Sequence, residues 1–351
     1  MSSPAPVRTA GTLLLALAAA LLFAWLRVPL PWMLGPLLAV ATASLMGAPT
    51  HSWGPLPHAR QWTIGAALGL YFTPQVAALV LQLWWAILLA IAWALLLGAG
   101  AGRFLHRVLR DRMPGTDAQR RATSFYAGAI GGASEMTLLA ERQGARTDLV
   151  AAAHSLRLLM VALVLPLAIT ASGLRGIDPG LPGARTVVPA GLLGLAIATG
   201  IGAWAMGRTG RANPWFLGPF LVSVGLAVAG LELSAIPQPM VNAAQLVIGV
   251  SLGVRFRAEF LHTAPLWLAA VAAGTLGMIV LSAGFAAALA WATGLPAVTL
   301  VLGTSPGGIA EMAITAKVLQ LGVPVVTAFQ VCRLVAVLVL VEPLHRRGWL
   351  T

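Results

Sequence analysis

The stretch Gly131-Gly132-Ala133-Ser134-Glu135-Met136 returns as Gly307-Gly308-Ile309-Ala310-Glu311-Met312, and this recurrence decides how the whole chain is read. Each copy is followed by an arginine in an otherwise apolar run, Arg157 in HSLRLLMVALVLPL and Arg333 in FQVCRLVAVLVLVEPL. Both pairs share one offset, since 311 − 135 = 333 − 157 = 176. Upstream, PWMLGP at Pro31–Pro36 returns as PWFLGP at Pro214–Pro219, and QWTIGAALGLYF from Gln61 returns as QLVIGVSLGVRF from Gln245. Four blocks kept in one order divide the chain into two related repeats, residues 1–175 and 176–351.

Composition sets the medium in which these repeats fold. Of 351 residues, 59% are apolar and only 9% are charged, with a mean hydropathy of +0.88. A soluble domain of this length has no interior large enough for so much apolar surface. Twelve apolar segments are legible, near residues 9–26, 31–47, 60–80, 82–102, 121–141, 149–171, 186–206, 214–231, 240–254, 264–292, 298–320 and 323–343. A helix of roughly 17–25 residues crosses a bilayer core, so the bilayer is the first partner expected. The net charge of +12 comes from basic residues spread through short loops, a pattern that orients membrane helices and offers no groove for nucleic acid. The single cysteine, Cys332, has no partner for a disulfide or a thiolate metal site and reads as core. The first segment, after Arg8, reads as a retained helix and not a cleaved signal.

Loop charges give the topology. The loop with Arg103, Arg107, Arg110, Arg112, Arg120 and Arg121 should be cytoplasmic, whereas its counterpart near Thr293–Pro296 is uncharged. One loop earlier the bias reverses: Phe72–Gln82 is uncharged, and Arg255, Arg257 and His262 follow the matching span. Equivalent loops thus face opposite sides, which requires an odd number of crossings per repeat. Each repeat shows six segments, so one should fail to cross, and adjacent glycines mark the weakest helix. This scheme puts the amino terminus, Arg208, Arg211, Arg346 and Arg347 inside, and Arg27, Arg175 and Arg185 outside. The expected fold is an all-α integral membrane protein with two inverted-topology repeats of about five transmembrane helices each. A broken or re-entrant Gly-Gly helix is expected in each half.

Charges inside membrane spans cost on the order of 2.5–3.5 kcal/mol each and call for a reason. Glu135 and Glu311 could bind a coupling ion, Na+ or H+, beside broken backbone, while Arg157 and Arg333 attract an anionic substrate. Alternatively each Glu–Arg pair is an ion pair tying the broken segment to the next helix. Gly131, Gly132, Gly307 and Gly308 could open the backbone toward a cavity, with hydroxyls from Ser134, Thr304 and Ser305 and with Pro306 removing a donor; close packing is the alternative. Gln61 and Gln245 head equivalent spans as possible polar ligands or simply as hydrated boundary residues. His154, three residues before Arg157, could relay a proton or hold a structural hydrogen bond; its counterpart is Gln330. Lys317 and Glu342 are further candidates for pairing or for a boundary position. Gly65, Gly69, Gly249 and Gly253 have the small-xxx-small spacing of close helix contacts.

The runs GAIGGASEM, AAAHSLRLLMV, SPGGIAEM and TAFQVCRL resemble the bacterial inner-membrane AbrB family, a duplicated-domain family also labelled an ammonia monooxygenase. The match runs from about Pro31 to Leu344. The family labels imply regulation of gene expression or oxygenation, and a location in the bacterial inner membrane. An oxygenase needs several ligands converging on a metal, yet His51, His58, His106, His262 and His345 are scattered without helical pairing. No resident cofactor or metal is therefore expected. The residues favour secondary transport of a small organic anion, with a membrane regulator as the alternative. Oligomeric state stays open, a homodimer included.

Overall fold

The computed structural model describes residues 5–52, 55–113, 115–174, 186–210, 213–256 and 265–346. Arg175, Arg185, Arg211, Arg257, His262 and Arg347, and the side chains of Ser134 and Arg346, lie outside the described residues. Among the described residues there are fifteen helices and no strand. The first repeat contributes α1 (Ala5–Trp25), α2 (Pro31–Leu45), α3 (Pro55–Gly69), α4 (Pro74–Gln82), α5 (Trp84–Leu109), α6 (Asp117–Gly128), α7 (Ala133–Arg142) and α8 (Thr147–Ala171). The second contributes α9 (Pro189–Arg208), α10 (Pro214–Val228), α11 (Gln238–Gly253), α12 (Pro265–Thr293), α13 (Ala297–Thr304), α14 (Ile309–Leu319) and α15 (Val323–Arg346).

The repeat reaches the backbone. Left-handed φ values occur at Arg27 and Gly210, at Leu30 and Asn213, and at Gly47 and Gly230, pairs for which 210 − 27, 213 − 30 and 230 − 47 all equal 183. Leu30 and Asn213 each precede a proline at the first position of α2 or α10, where proline's fixed φ suits a helix start and its missing N–H leaves nothing unpaired.

Six helices, α1, α5, α8, α9, α12 and α15, are long and apolar enough to cross a membrane. The protein is a multi-pass membrane protein. Large apolar side chains face outward, with Leu14 68%, Val280 70% and Trp291 91% exposed, surface that a bilayer and not water accommodates. The segment read as continuous over 60–80 is instead bent by 90° between α3 and α4; Pro74 opens α4, and a proline pushes the residue before it out of helical geometry. With 15 residues apiece, α2 and α10 are only about 22 Å long, shorter than a hydrocarbon core. Both Gly-Gly segments are broken, each into two short helices (α6 and α7, α13 and α14) separated by extended backbone.

The chain forms two compact units, and each draws on both repeats. The first comprises Met1–Gln82, Thr170–Ala258 and Ala313–Pro324. In it the repeats clasp reciprocally: α3 packs on α10, and α11 packs on α2. A Cβ added to Gly65 would lie 2.5 Å from the Phe216 carbonyl oxygen, and one added to Gly249 would lie 2.5 Å from that of Met33. A Cβ on Gly69 would lie 2.5 Å from the Phe220 carbonyl oxygen, and one on Gly253 would lie 2.8 Å from Val40 Cβ. The small-xxx-small pairs therefore serve close packing, as their spacing implies.

The second unit comprises Leu83–Ile169, Glu259–Met312 and Val325–Thr351. Its core gathers Phe125, Tyr126, Met136, Leu149, Val150, Trp267, Val271, Val337 and Val341. Trp267 Nε1 donates to the Leu149 carbonyl at 3.1 Å, which satisfies the indole's polar edge inside apolar surroundings. α5 and α12 run antiparallel, since Trp93 stacks on Phe285 at 4.8 Å while Phe104 lies beside Gly274.

Candidate functional site

Both breaks lie in the second unit, and each leaves two sets of unpaired main-chain groups: carbonyls where the first short helix ends and N–H groups where the next begins. The carbonyl ends are held by the buried arginines of α8 and α15. Arg157, 2% exposed, donates through Nη1 to the Ala127 and Gly128 carbonyls, both at 3.3 Å, and through Nη2 to Ala129 at 2.9 Å. Arg333, 5% exposed, donates through Nη1 to the Ser305 carbonyl at 2.5 Å and through Nη2 to Gly307 at 2.8 Å. A guanidinium fork suits this task because it offers several N–H donors in one plane and its positive charge opposes the negative end of a helix dipole.

The residue one turn before each arginine completes the cap. His154 Nε2 lies 2.9 Å from the Tyr126 carbonyl, and Gln330 Nε2 donates to the Leu302 carbonyl at 2.7 Å; both carbonyls and both side chains are related by the offset of 176. His154 Nδ1 lies 2.7 Å from Arg157 Nη2. Arginine can only donate, so Nδ1 accepts and carries no proton, while the Tyr126 carbonyl requires a proton on Nε2. His154 is thereby fixed as the neutral Nε2–H tautomer, with both nitrogens engaged in the cap.

The N–H ends carry the glutamates. Gly132 is the N-cap of α7, with φ −66° and ψ 139°, and Glu135 stands in the first turn; Glu311 stands in the first turn of α14. Both carboxylates fold back so far that a Cβ on Gly132 or Gly308 would collide with a Glu135 or Glu311 Oε2. The carboxyl group of the third helical residue thus lies over the start of each helix, the position from which a capping box is made and where the helix dipole favours a negative group. The preceding glycines admit methionine: a Cβ at Gly131 would lie 2.7 Å from Met136 Cε, and one at Gly307 would lie 2.8 Å from Met312 Cγ. The φ of Gly132 is one that any residue adopts. Here the glycines supply room for side chains, where the sequence suggested backbone freedom. Met136 and Met312, both fully buried, were the members of the motif that sequence reasoning passed over, although their recurrence was visible.

The arginines and glutamates thus stand at opposite ends of each break. Arg157 and Arg333 lie within electrostatic reach of one another, and the Nε of each is buried without a hydrogen-bond partner, as is Gln330 Oε1. Thr304 Oγ1 donates to the Leu300 carbonyl at 2.8 Å, and Ser305 Oγ approaches the Leu302 carbonyl and Met312 Sδ, both at 3.4 Å. Gln61 and Gln245 belong to the first unit. Neither heads its span: the helices begin earlier, at Pro55 and Gln238. Gln61 Nε2 donates to Asn213 Oδ1 at 3.3 Å, and Gln245 is buried. Lys317 Nζ stands 5.8 Å from the centre of the Tyr71 ring, Glu342 and Cys332 are half-buried, and among the described residues no three of His, Cys, Asp and Glu gather as a metal site.

Apolar spans together with a doubled, internally capped helix break define a class, that of duplicated polytopic membrane proteins with interrupted helices. The family is AbrB: its model, described as Transition state regulatory protein AbrB, matches residues 32–348, and the chain belongs to this family. It is also similar to Uncharacterized protein YhjN of Bacillus subtilis (strain 168), with 27% identity over 349 residues, covering 91% of this chain and 87% of that protein. No solved structure matches.

Proposed function

We propose that the chain is a secondary transporter of the bacterial inner membrane that carries a small organic anion, coupled to protons or sodium, by alternating access between two repeats of inverted topology. The observation that supports this reading is the doubled break, in which helix ends meet inside an apolar protein and each holds a side chain of the opposite charge. In carriers with interrupted helices, half-helix N-termini receive anionic groups and freed carbonyls receive cations. Here Glu135 and Glu311 occupy the N-termini of α7 and α14. A substrate carboxylate takes the place of a glutamate, which swings off the helix end and binds the coupling ion. Arg157 and Arg333 keep the carbonyl ends closed and raise the local positive potential.

The test is counterflow in liposomes loaded with small carboxylates, alongside a thermal-shift screen of the purified protein. Glu135→Gln and Glu311→Gln should each abolish coupled uptake while leaving the melting temperature close to that of the unaltered protein, and undiminished uptake in both sinks the assignment. A second reading, a membrane protein acting in regulation of gene expression, draws on the wording of the family description. It expects a co-purifying partner protein and no counterflow with any anion.

A further inference from the structure

Between α5 and α12 lies a cavity of about 350 Å³, bordered among others by Trp93, Gly100, Phe104, Gly277, Met278 and Leu281. Its size falls within the roughly 300–1,000 Å³ of pockets that hold small ligands. It opens on the apolar exterior, because Leu96 and Leu281 on its border are 63% and 54% exposed. Backbone bareness makes the space: a Cβ added at Gly100 or at Gly277 would meet no atom within 4 Å. Water is not a fit for such walls, and an apolar chain is.

One end of this groove is charged. Residues 93, 97, 100 and 104 of α5 lie on one helical face, and the next position on that face is Arg107, one turn beyond Phe104. Arg107 is exposed, as are Arg103, Arg110 and Arg112, which makes this end of α5 strongly cationic. Asp111 is the acidic residue nearby, and it pairs with Arg110 at 3.5 Å. An apolar trough that ends near an arginine is complementary to one molecule of the surroundings, a lipid with a hydrocarbon tail and an anionic phosphate.

We infer that the α5–α12 groove binds an anionic phospholipid, with an acyl chain lying between Trp93 and Phe104 and the headgroup phosphate on Arg107. Arg103, one turn earlier and beside the groove, adds to the attraction. The site rests on the membrane character of the protein and is independent of its transport role.

The probe is phosphatidylglycerol against phosphatidylcholine of identical acyl chains, titrated into the detergent-purified full-length protein, with bound lipid counted by native mass spectrometry. Phosphatidylglycerol should bind about fivefold more tightly, the preference expected of a single arginine at a membrane surface, and Arg107→Gln should bring the two lipids to parity. Gly100→Leu with Gly277→Leu fills the groove and should lower binding of both lipids. Equal binding of the two lipids by the unaltered protein overturns the headgroup assignment, and undiminished binding by the leucine variant overturns the acyl site. A dimer that dissociates in the leucine variant gives the groove to a second copy and likewise overturns it. Arg107 is exposed, so the headgroup arm stands even where the leucine variant fails to fold.

Discussion

The two breaks share a plan and differ in the detail of the cap: Arg157 reaches three carbonyls and Arg333 two, and histidine stands at one where glutamine stands at the other. After α6, His154 bonds the Tyr126 carbonyl and accepts from Arg157; after α13, Gln330 bonds the Leu302 carbonyl and its Oε1 has no partner. What is common to the two is an N–H aimed at the equivalent carbonyl; what differs is the acceptor that histidine offers to arginine and the second carbonyl, Ser305, that Gln330 Nε2 also reaches at 3.3 Å. The comparison teaches that this position is a neutral donor first, with the titrating chemistry of histidine incidental to it. It also shows where the cap is unequal, because Arg157 has one more partner on its Nη2 than Arg333 does.

Removing the arginines breaks the comparison most severely. Arg157→Ala removes the side-chain donor of three buried carbonyls, those of Ala127, Gly128 and Ala129. Arg333→Ala removes that of Gly307, while the Ser305 carbonyl keeps the Gly307 N–H and Gln330 Nε2. An unsatisfied buried group costs about 1–3 kcal/mol. Each variant should lose several degrees or more of melting temperature in detergent. Arg→Lys should recover little of the loss, since one ammonium cannot reproduce the fork. A melting temperature unchanged in Arg333→Ala would remove the capping role.

A smaller effect is expected at the glycines. Gly132→Ala and Gly308→Ala push the carboxylates off the helix starts and should destabilise by about 1 kcal/mol, the usual worth of an N-cap. Because the displaced atoms are side-chain tips, both variants should fold, and coupled uptake should fall as it does in the Glu→Gln variants. Retained uptake in both would show that the folded-back carboxylate is not needed.

The smallest effect is the exchange of caps. His154→Gln should alter stability by less than about 1 kcal/mol, since it gives up one hydrogen bond and keeps the other, and uptake should keep its dependence on pH. Loss of uptake in a folded His154→Gln protein would return histidine to the role of proton relay.

Much of this was legible in the sequence. The paired blocks at Pro31 and Pro214 gave the helix starts, and the Gly-Gly motifs gave both breaks. Arg157 and Arg333 were recognised as costly charges, but their partners were not, because each reaches 28 residues back across the break to carbonyls of the preceding helix (157 − 129 = 333 − 305 = 28). Carbonyls have no letter in a sequence, whereas Glu135 and Glu311 do, and an ion pair suggests itself at equal spacing. The purpose of the glycines was hidden for a similar reason: Met136 and Glu135 fill the space that Gly131 and Gly132 leave, a relation visible only once side chains have directions. The bend near Tyr71 was masked by apolar residues that continue through it.

The reciprocal clasp of the first compact unit governs how the protein can be made. Gly249 of α11 seats against Met33 of α2, so the earlier helix emerges from the ribosome 249 − 33 = 216 residues before its partner exists. At roughly 5–20 residues per second, α2 waits about ten to forty seconds in the bilayer with its contact face covered only by lipid. Neither repeat can mature alone during synthesis, and the last step of assembly belongs to the translation of the second.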